Sequence, residues 1–189
     1  MYNMKRRNFI FDIFSIGLMS SITSKLKANN FKFSPMVRSI STWKTTEANF
    51  KAGLMLDKGA DALEAAVIGV AVEEENPKNT TVGFGGAPDR TGKVTLDACV
   101  MNHLGDCGSV VAVENIVNVA KLAKDVMEKT PPVMLAGKGA EEFALSQGYE
   151  KINLLTETSK KEWEKWLENE EYKPLINIEN HDTIGMLCL

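Results

Sequence analysis

The chain has 189 residues, of which 44% are hydrophobic and 25% are charged, and its formal net charge is -3. These values are typical of one globular domain with a buried core, and the scattered Lys and Arg residues argue against a nucleic-acid-binding surface. The two His and three Cys residues lack C-x-x-C and H-x-x-x-H spacing. We therefore expect neither a metal site nor another cofactor.

The N-terminal residues 1–28 have the order of a signal peptide. Basic residues at 5–7 precede an apolar stretch at 9–19, which is short for a transmembrane helix. The segment KRRNFI is also similar to a twin-arginine export motif. We predict that residues 1–28 direct export to the periplasm or the cell exterior and that the mature protein begins near Asn29. A membrane-associated N-terminal helix is the alternative.

Beyond this segment, the pattern predicts a strand at 36–42 and helices at 46–57 and from Asp61 to the Asn76-Pro77 stop. Gly59 is a predicted C-cap for the first of these helices, and Asp61 with Glu64 predicts a capping box for the second. Apolar residues at helical spacing predict its buried face, namely Leu63, Ala66, Val67, Val70 and Ala71.

A glycine-rich loop, TVGFGGAPDRTG, follows at 81–92. It has neither the G-x-G-x-x-G spacing of a dinucleotide site nor the GK[ST] of a phosphate loop. Gly83, Gly85 and Gly86 instead predict tight turns or a close approach of the backbone.

The segments KVTLDACVM (93–101) and CGSVVAV (107–113) predict a β-hairpin. Cys99 and Cys107 would lie near opposite positions across this hairpin, so they could form a disulfide after export. We prefer the alternative prediction that both are buried free thiols.

The C-terminal part predicts a helix at 117–128, a short strand at 133–137 and helices at 139–148 and 159–171. Ser159 and Glu162 predict a capping box for the last helix. Its Trp163, Trp166 and Leu167 would share one surface in the core. A hairpin mixed with helices favours an α+β layered domain.

Near the end of the sequence, His181-Asp182-Thr183 stands directly before an apolar run at 184–189. Taken by itself, a Thr at the head of a strand is only a β-branched residue where a strand favours one.

The chain also resembles, over 37–189, the N-terminal half of the glycosylasparaginases. The matching segments occur in the same order: ISTW, the helix pair ending in EEENP, VGFGGAPDRTGKVTLDACVM, VMEKTPPVMLAGKGAEEFALSQG and NHDTIGM. Glycosylasparaginases are N-terminal-nucleophile hydrolases among the type-2 asparaginases and isoaspartyl peptidases, and HDTIGM favours them over those relatives. The resemblance implies a four-layer αββα sandwich, with 29–182 as an α-subunit-like region and 183–189 as the start of the β-subunit.

The resemblance implies an autocatalytic chemistry at this triplet. The precursor would cleave itself between Asp182 and Thr183, with Asp182 as the base and Thr183 as the nucleophile. The released α-amine of Thr183, whose ordinary pKa is about 7.7–8.0, would then accept the hydroxyl proton during attack on the substrate. His181 would orient the segment, or would simply be packed and hydrogen-bonded.

Two further site residues follow by position in the family. Trp43, at the end of ISTW, matches a Trp that lines the substrate pocket, although the residue alone would suggest a core aromatic. Thr81 matches a position near the nucleophile that is usually Ser. The implied reaction is cleavage of the amide between asparagine and N-acetylglucosamine, without a cofactor. The implied partners are this substrate, the β-subunit of the same precursor and a second αβ unit.

The family's Arg and Asp substrate clamp, its Thr-Gly oxyanion donors and half of its central sheet follow the nucleophile, where this chain has only residues 183–189. We therefore expect an incomplete chain that is inactive alone, either a fragment or half of a split enzyme. An L-asparaginase or β-aspartyl peptidase of the same family is one alternative. A non-catalytic, degenerate subunit is the other.

Overall fold

The computed structural model describes residues 37–169 and 183–189. The predicted export signal and the predicted site residues His181 and Asp182 lie outside them. No helix within the described ranges is long and apolar enough to cross a membrane. The elements in chain order are β1 (Ser39–Ser41), α1 (Thr46–Asp57), α2 (Ala62–Glu74), β2 (Leu96–Met101), β3 (Cys107–Val113), α3 (Val119–Lys129), β4 (Met134–Ala136), α4 (Gly137–Ser146), α5 (Glu157–Asn169) and β5 (Met186–Cys188). The mixture of helices and sheets confirms an α+β fold.

Helix α1 has the predicted bounds because its C-terminal signal is local. Gly59 takes a left-handed φ of 85° and donates its N–H to Leu56 O at 2.8 Å. Ala60 N donates to Met55 O at 3.0 Å. These two bonds form the Schellman ending that a glycine directly after a helix favours, so the prediction for Gly59 is confirmed.

Helix α2 begins as predicted, because Asp61 Oδ1 accepts the N–H of Leu63 at 2.9 Å and of Glu64 at 3.4 Å. In the predicted capping box, the Glu64 side chain would accept the Asp61 backbone N–H. Instead, Glu64 Oε2 lies 2.8 Å from Lys124 Nζ of α3 in an ion pair.

Of the predicted apolar face of α2, only Val67 is fully buried, and the other four residues are half-buried. The fully buried residues of the helix are Ala65, Val67, Gly69 and Glu74. The helix is apolar around most of its circumference and contacts α1, α3 and β5, so its sequence does not favour one face.

A buried carboxylate connects α2 to α3. Glu74 is only 3% exposed, and its Oε1 accepts the N–H of Ala120 in the first turn of α3 at 2.9 Å. Asn118, the N-cap residue of α3, makes no side-chain cap bond and donates instead to Glu75. Burial raises the pKa of Glu74 to about 7. Glu74 therefore takes the place of an N-cap side chain from another helix.

The three-stranded sheet has the order β2-β3-β4, with β2 and β3 antiparallel and β3 and β4 parallel. The predicted hairpin is confirmed, although β2 begins at Leu96 rather than at residue 93. The register shifts between Leu96 and Ala98, where Ala112 takes a φ of 53° and donates its N–H to Asp97 Oδ1 at 2.6 Å. This β-bulge bends β3 near its C-terminal end, and pairing resumes at Val113 and Leu96.

One face of this sheet packs on helices, and the other, called the bare face below, is covered by no helix within residues 37–169. Gly108 of β3 lies against α3 so closely that a Cβ there would be 2.6 Å from Met127 N. The core on this side includes Val110, Val113, Leu122 and Val126, all fully buried. On the opposite face Met101 is 67% and Met134 53% exposed, and Val111 is also exposed. The helices therefore cover a single face.

The prediction that Cys99 and Cys107 are buried is wrong. Cys99 and Cys107 are both free and exposed because they lie on the bare face. Cys99 pairs with Ser109 and Cys107 with Met101, so the two thiols are diagonal neighbours rather than opposite each other. Diagonal positions are about 7–8 Å apart, beyond the usual Cα separation of a disulfide.

The glycine-rich loop contacts the start of α5, and this contact corrects the predicted cap of that helix. Gly83 and Gly85 take left-handed φ values of 63° and 99°, as the predicted turns require. Ser159 is not the cap of α5, because its hydroxyl is buried and donates to Gly85 O. Thr156 Oγ1 caps the helix instead, accepting the Ser159 N–H at 3.2 Å.

The aromatic residues of α5 cover this loop from outside rather than forming a core. The Trp163 ring lies 3.0 Å from the position of a Cβ on Gly92 and is half-buried. Trp166 is 46% exposed, with the Arg90 guanidinium 6.0 Å from its ring centre. The predicted burial of Trp166 in the core is therefore wrong.

Candidate functional site

The first and last described strands pair in an antiparallel ribbon that carries the predicted nucleophile. Ser39, Ile40 and Ser41 of β1 lie opposite Cys188, Leu187 and Met186 of β5. The ladder continues beyond both strands, since Arg38 and Leu189 exchange two backbone hydrogen bonds of 3.0 and 2.9 Å. At the other end it reaches Thr42 and Gly185, two residues from Thr183.

Helix α2 supports this ribbon from below. A Cβ at Gly69 would lie 2.6 Å from Met186 Sδ, 2.8 Å from Ala48 O and 2.9 Å from Ala52 Cβ. Only glycine therefore allows α1, α2 and β5 to approach at this point. Cys188 of β5 is half-buried, and burial raises the pKa of its thiol. The position of β5, and with it that of Thr183, depends on this packing.

Two hydrogen bonds join Thr42 to Gly185. Thr42 N donates to Gly185 O at 2.9 Å, and Gly185 N donates to Thr42 Oγ1 at 2.9 Å. Thr45 Oγ1, at the start of α1, lies 2.9 Å from Thr42 O and 2.8 Å from Ser41 Oγ. The turn between β1 and α1 is thus closed by hydroxyl groups.

Trp43 bends this turn toward the nucleophile. It takes a left-handed φ of 61°, which is uncommon for a bulky residue and costs on the order of 1 kcal/mol. Its Nε1 donates to Thr183 O at 3.0 Å. The ring is 52% exposed, so the reading as a core aromatic is wrong. A strained, exposed Trp held at the predicted nucleophile is a pattern that occurs at functional sites.

Thr183 itself is exposed and stands three residues before β5. The structure therefore brings together Trp43 and Thr183 of the predicted site residues. His181 and Asp182 lie outside the described residues, and their roles stay predictions.

Thr81 is held by its own loop. Its hydroxyl donates to Asn79 Oδ1 at 2.7 Å and its N–H donates to the same oxygen at 3.0 Å. Asn79 Nδ2 in turn donates to Glu73 Oε2 of α2 at 3.0 Å. The hydroxyl orientation is thus fixed from α2, and the predicted place of Thr81 near Thr183 stays a prediction.

Within residues 37–169 and 183–189, the structure shows no group of three or more His, Cys, Asp or Glu side chains that could hold a metal ion.

Comparisons with known proteins identify the family. The sequence profile of the family described as asparaginase matches residues 27–186. The chain belongs to the asparaginase family. An N(4)-(beta-N-acetylglucosaminyl)-L-asparaginase of Elizabethkingia miricola is 52% identical over 88% of this chain and 48% of its own length. Proteins of the same name from Rattus norvegicus and Mus musculus are each 32% identical, over 82% of this chain and 54% of their own length. The resemblance to glycosylasparaginases is confirmed, and this asparaginase-family chain spans about half the length of the curated relatives it matches.

Two residues of the site were missed by the sequence reasoning. Thr42 was assigned only as the end of a strand, and Gly185 was not singled out. A signal for Gly185 does exist, because a glycine inside an apolar strand often marks the close approach of another chain segment. Nothing in the letters ISTW alone distinguishes a Thr that bonds across the ribbon from one that merely favours a strand.

Proposed function

We propose that this asparaginase-family chain carries the nucleophile of an N-terminal-nucleophile amidohydrolase. Its complete form would cleave the amide between asparagine and N-acetylglucosamine. The observation that carries the proposal is the 3.0 Å hydrogen bond from Trp43 Nε1 to Thr183 O, which joins the two predicted site residues across the β1–β5 ribbon. The names of the relatives supply the substrate class.

Self-cleavage requires the Thr183 hydroxyl to attack the carbonyl carbon of Asp182. The carboxylate of Asp182 takes the hydroxyl proton and passes it to the Thr183 nitrogen as the peptide C–N bond breaks, so that an ester joins Thr183 Oγ to the Asp182 carbonyl carbon and the Thr183 amine becomes free. Water then hydrolyses this ester, which gives a carboxyl group at residue 182, restores the Thr183 hydroxyl and separates the two chains. Trp43 contributes by holding the Thr183 carbonyl, so that the Thr183 backbone keeps one orientation while its hydroxyl turns toward residue 182.

In the mature site, the Thr183 hydroxyl attacks the side-chain amide carbon of the substrate. The Thr183 amine accepts the hydroxyl proton and returns it to the leaving amino sugar. Water completes the turnover by releasing aspartate from the acyl ester. The exposed ring of Trp43 offers an apolar wall beside the nucleophile. Thr81, oriented through Asn79, is proposed to supply a second hydroxyl.

The bare apolar surfaces support an αββα arrangement completed by a β-subunit. On the ribbon, the opposed residues Ile40 and Leu187 are 64% and 60% exposed. On the three-stranded sheet, the face away from the helices is also apolar and exposed. Both surfaces are of the kind that sheet-on-sheet packing buries. We propose that the β-subunit of the same precursor covers them, that two αβ units associate, and that residues 1–28 direct export.

The test uses the completed protein, meaning this chain continued beyond Leu189 by the C-terminal part of the Elizabethkingia miricola relative. That relative in its natural form is the positive control. We expect a smaller product whose N-terminal sequence begins at Thr183, and hydrolysis of an asparagine-linked N-acetylglucosamine. Faster turnover of L-asparagine or of a β-aspartyl dipeptide would instead assign the protein as an L-asparaginase or a β-aspartyl peptidase. A folded protein that is cut elsewhere, and that hydrolyses none of the three, would support the non-catalytic alternative.

A further inference from the structure

The hydrogen-bond ladder between β1 and β5 ends in an irregular rung. In an antiparallel pair, every second pair of opposed residues exchanges two backbone hydrogen bonds, as Arg38 and Leu189 do. Thr42 and Gly185 lie four residues further along each strand and should exchange two as well. Only the bond from Thr42 N to Gly185 O is of this kind. The Gly185 N–H donates to the Thr42 hydroxyl instead of to the Thr42 carbonyl.

This exchange of acceptors allows the chain to leave the strand. The Thr42 carbonyl, no longer needed by the ladder, lies 2.9 Å from Thr45 Oγ1 at the start of α1. The backbone then turns through the left-handed Trp43, whose indole returns across the ribbon to Thr183 O. A regular last rung would hold the Thr42 carbonyl toward Gly185 and oppose this turn.

We infer that Thr42 is a positioning residue for the nucleophile, acting through its hydroxyl on Gly185 while Trp43 holds the Thr183 carbonyl. The segment 183–185 is thereby fixed at both ends. The fit is close, since a Cβ at Gly185 would lie 3.3 Å from Thr42 Cγ2. The inference rests on the proposed function of Thr183, because positioning has a catalytic consequence only if Thr183 reacts.

Three variants separate the hydroxyl from the shape of the side chain. Thr42→Val keeps the β-branched shape and removes the acceptor, whereas Thr42→Ser keeps the acceptor and removes a methyl group. Thr91→Val is the matched control, because it deletes a hydroxyl that bonds Asp89 at 2.7 Å in an exposed loop far along the chain from the ribbon.

The first measurement is amide hydrogen exchange at Gly185 in the 189-residue chain. Removing the acceptor should speed exchange at this amide by roughly tenfold in Thr42→Val. Thr42→Ser and Thr91→Val should keep the parental rate. Equal exchange in Thr42→Val and the parent would overturn the hydrogen-bonding role itself.

The second measurement is made in the completed protein. We expect Thr42→Val to slow self-cleavage and to lower kcat by roughly tenfold with little change in KM, while Thr42→Ser restores most of both rates. Thermal midpoints are recorded beside the rates, because a merely structural loss would lower stability without rescue of kcat by Ser. If the parent is active and Thr42→Val has the same rates, the inference about Thr42 is overturned and the proposed function is not. A folded parent that neither cleaves nor hydrolyses would overturn the proposed function, while the exchange data would still decide the hydrogen bond.

Discussion

Trp43 and Thr183, separated by 140 residues in the sequence, are joined by a 3.0 Å hydrogen bond from the indole nitrogen to the main-chain oxygen. The bond reaches the backbone of the proposed nucleophile rather than its side chain. It therefore leaves the Thr183 hydroxyl available while restricting the peptide that carries it. This division of roles determines which substitutions should affect chemistry and which should affect only packing.

Substitutions at Thr183 test the nucleophile in the completed protein. Thr183→Ala should abolish self-cleavage and hydrolysis, and Thr183→Ser should retain some of both because the hydroxyl remains. Thr183→Val keeps the β-branched shape and should fold but be inactive, with folding checked by circular dichroism. Parental hydrolysis by folded Thr183→Val would reduce Thr183 to a strand residue.

Trp43→Phe tests the indole hydrogen bond. The ring and the left-handed turn are retained, but the Thr183 carbonyl loses its donor, so self-cleavage should slow by roughly tenfold. The cleavage rate is measured by gel densitometry at a temperature well below the thermal midpoint. Trp166→Phe on α5 is the control, since that ring is similarly exposed. A parental cleavage rate in Trp43→Phe would show that the bond does not restrict the reacting peptide.

Gly69→Ala tests the support beneath the ribbon. The added Cβ would overlap Met186 Sδ and the backbone oxygen of Ala48, which should destabilise the chain by about 1–3 kcal/mol in urea unfolding. Gly139→Ala on α4 is the control, because a Cβ there meets nothing within 4 Å. That change should be neutral or slightly stabilising. Equal stabilities of the two variants would contradict the close packing at Gly69.

Glu74 should make the stability depend on pH. Burial raises its pKa from 4.5 to about 7, so the folded state binds a proton more tightly than the unfolded state does. The contribution of Glu74 to the free energy of unfolding is most favourable at or below pH 4.5 and is lost as the pH rises through about 7. Relative to Glu74→Gln, the parental free energy of unfolding should fall by up to roughly 3 kcal/mol over this window. Urea unfolding of both proteins at several pH values measures the difference, and parallel profiles would contradict it.

The bare sheet face should be needed for assembly with the second half. Met101→Lys places a charge on this face, whereas Leu104→Lys places one at the hairpin turn, where Leu104 is 74% exposed. We expect Met101→Lys to prevent self-cleavage of the completed protein and Leu104→Lys to permit it. Cleavage of both to the same extent would mean that no second sheet covers this face.

The sequence reasoning was most accurate where structure depends on neighbouring residues. Gly59 and Asp61 mark real helix ends, and the predicted helix at 117–128 is observed as Val119–Lys129. Errors arose where a distant contact decides the outcome. Ser159 bonds to the glycine-rich loop instead of capping α5, and Cys99 lies on a face that no described helix covers.

The site residues were predicted on a different basis from the helices and strands. Hydrophobic periodicity would have placed Trp43 in the core and Thr183 in a strand, and only the family resemblance paired them. Even that resemblance did not indicate Thr42, because its role depends on which acceptor the Gly185 N–H meets across the ribbon.

The ribbon also determines when the site is able to form during synthesis. Within residues 37–169 and 183–189, the strand partner of β1 is β5, about 150 residues later in the chain. At ordinary translation speeds, β1 waits roughly ten to thirty seconds for this partner. Helices α1 and α2 and the hairpin, whose contacts are local, are able to form in that interval. Thr183 therefore reaches Trp43 only after the surrounding layers exist, which delays any reaction of its hydroxyl until the chain has a folded scaffold to receive it.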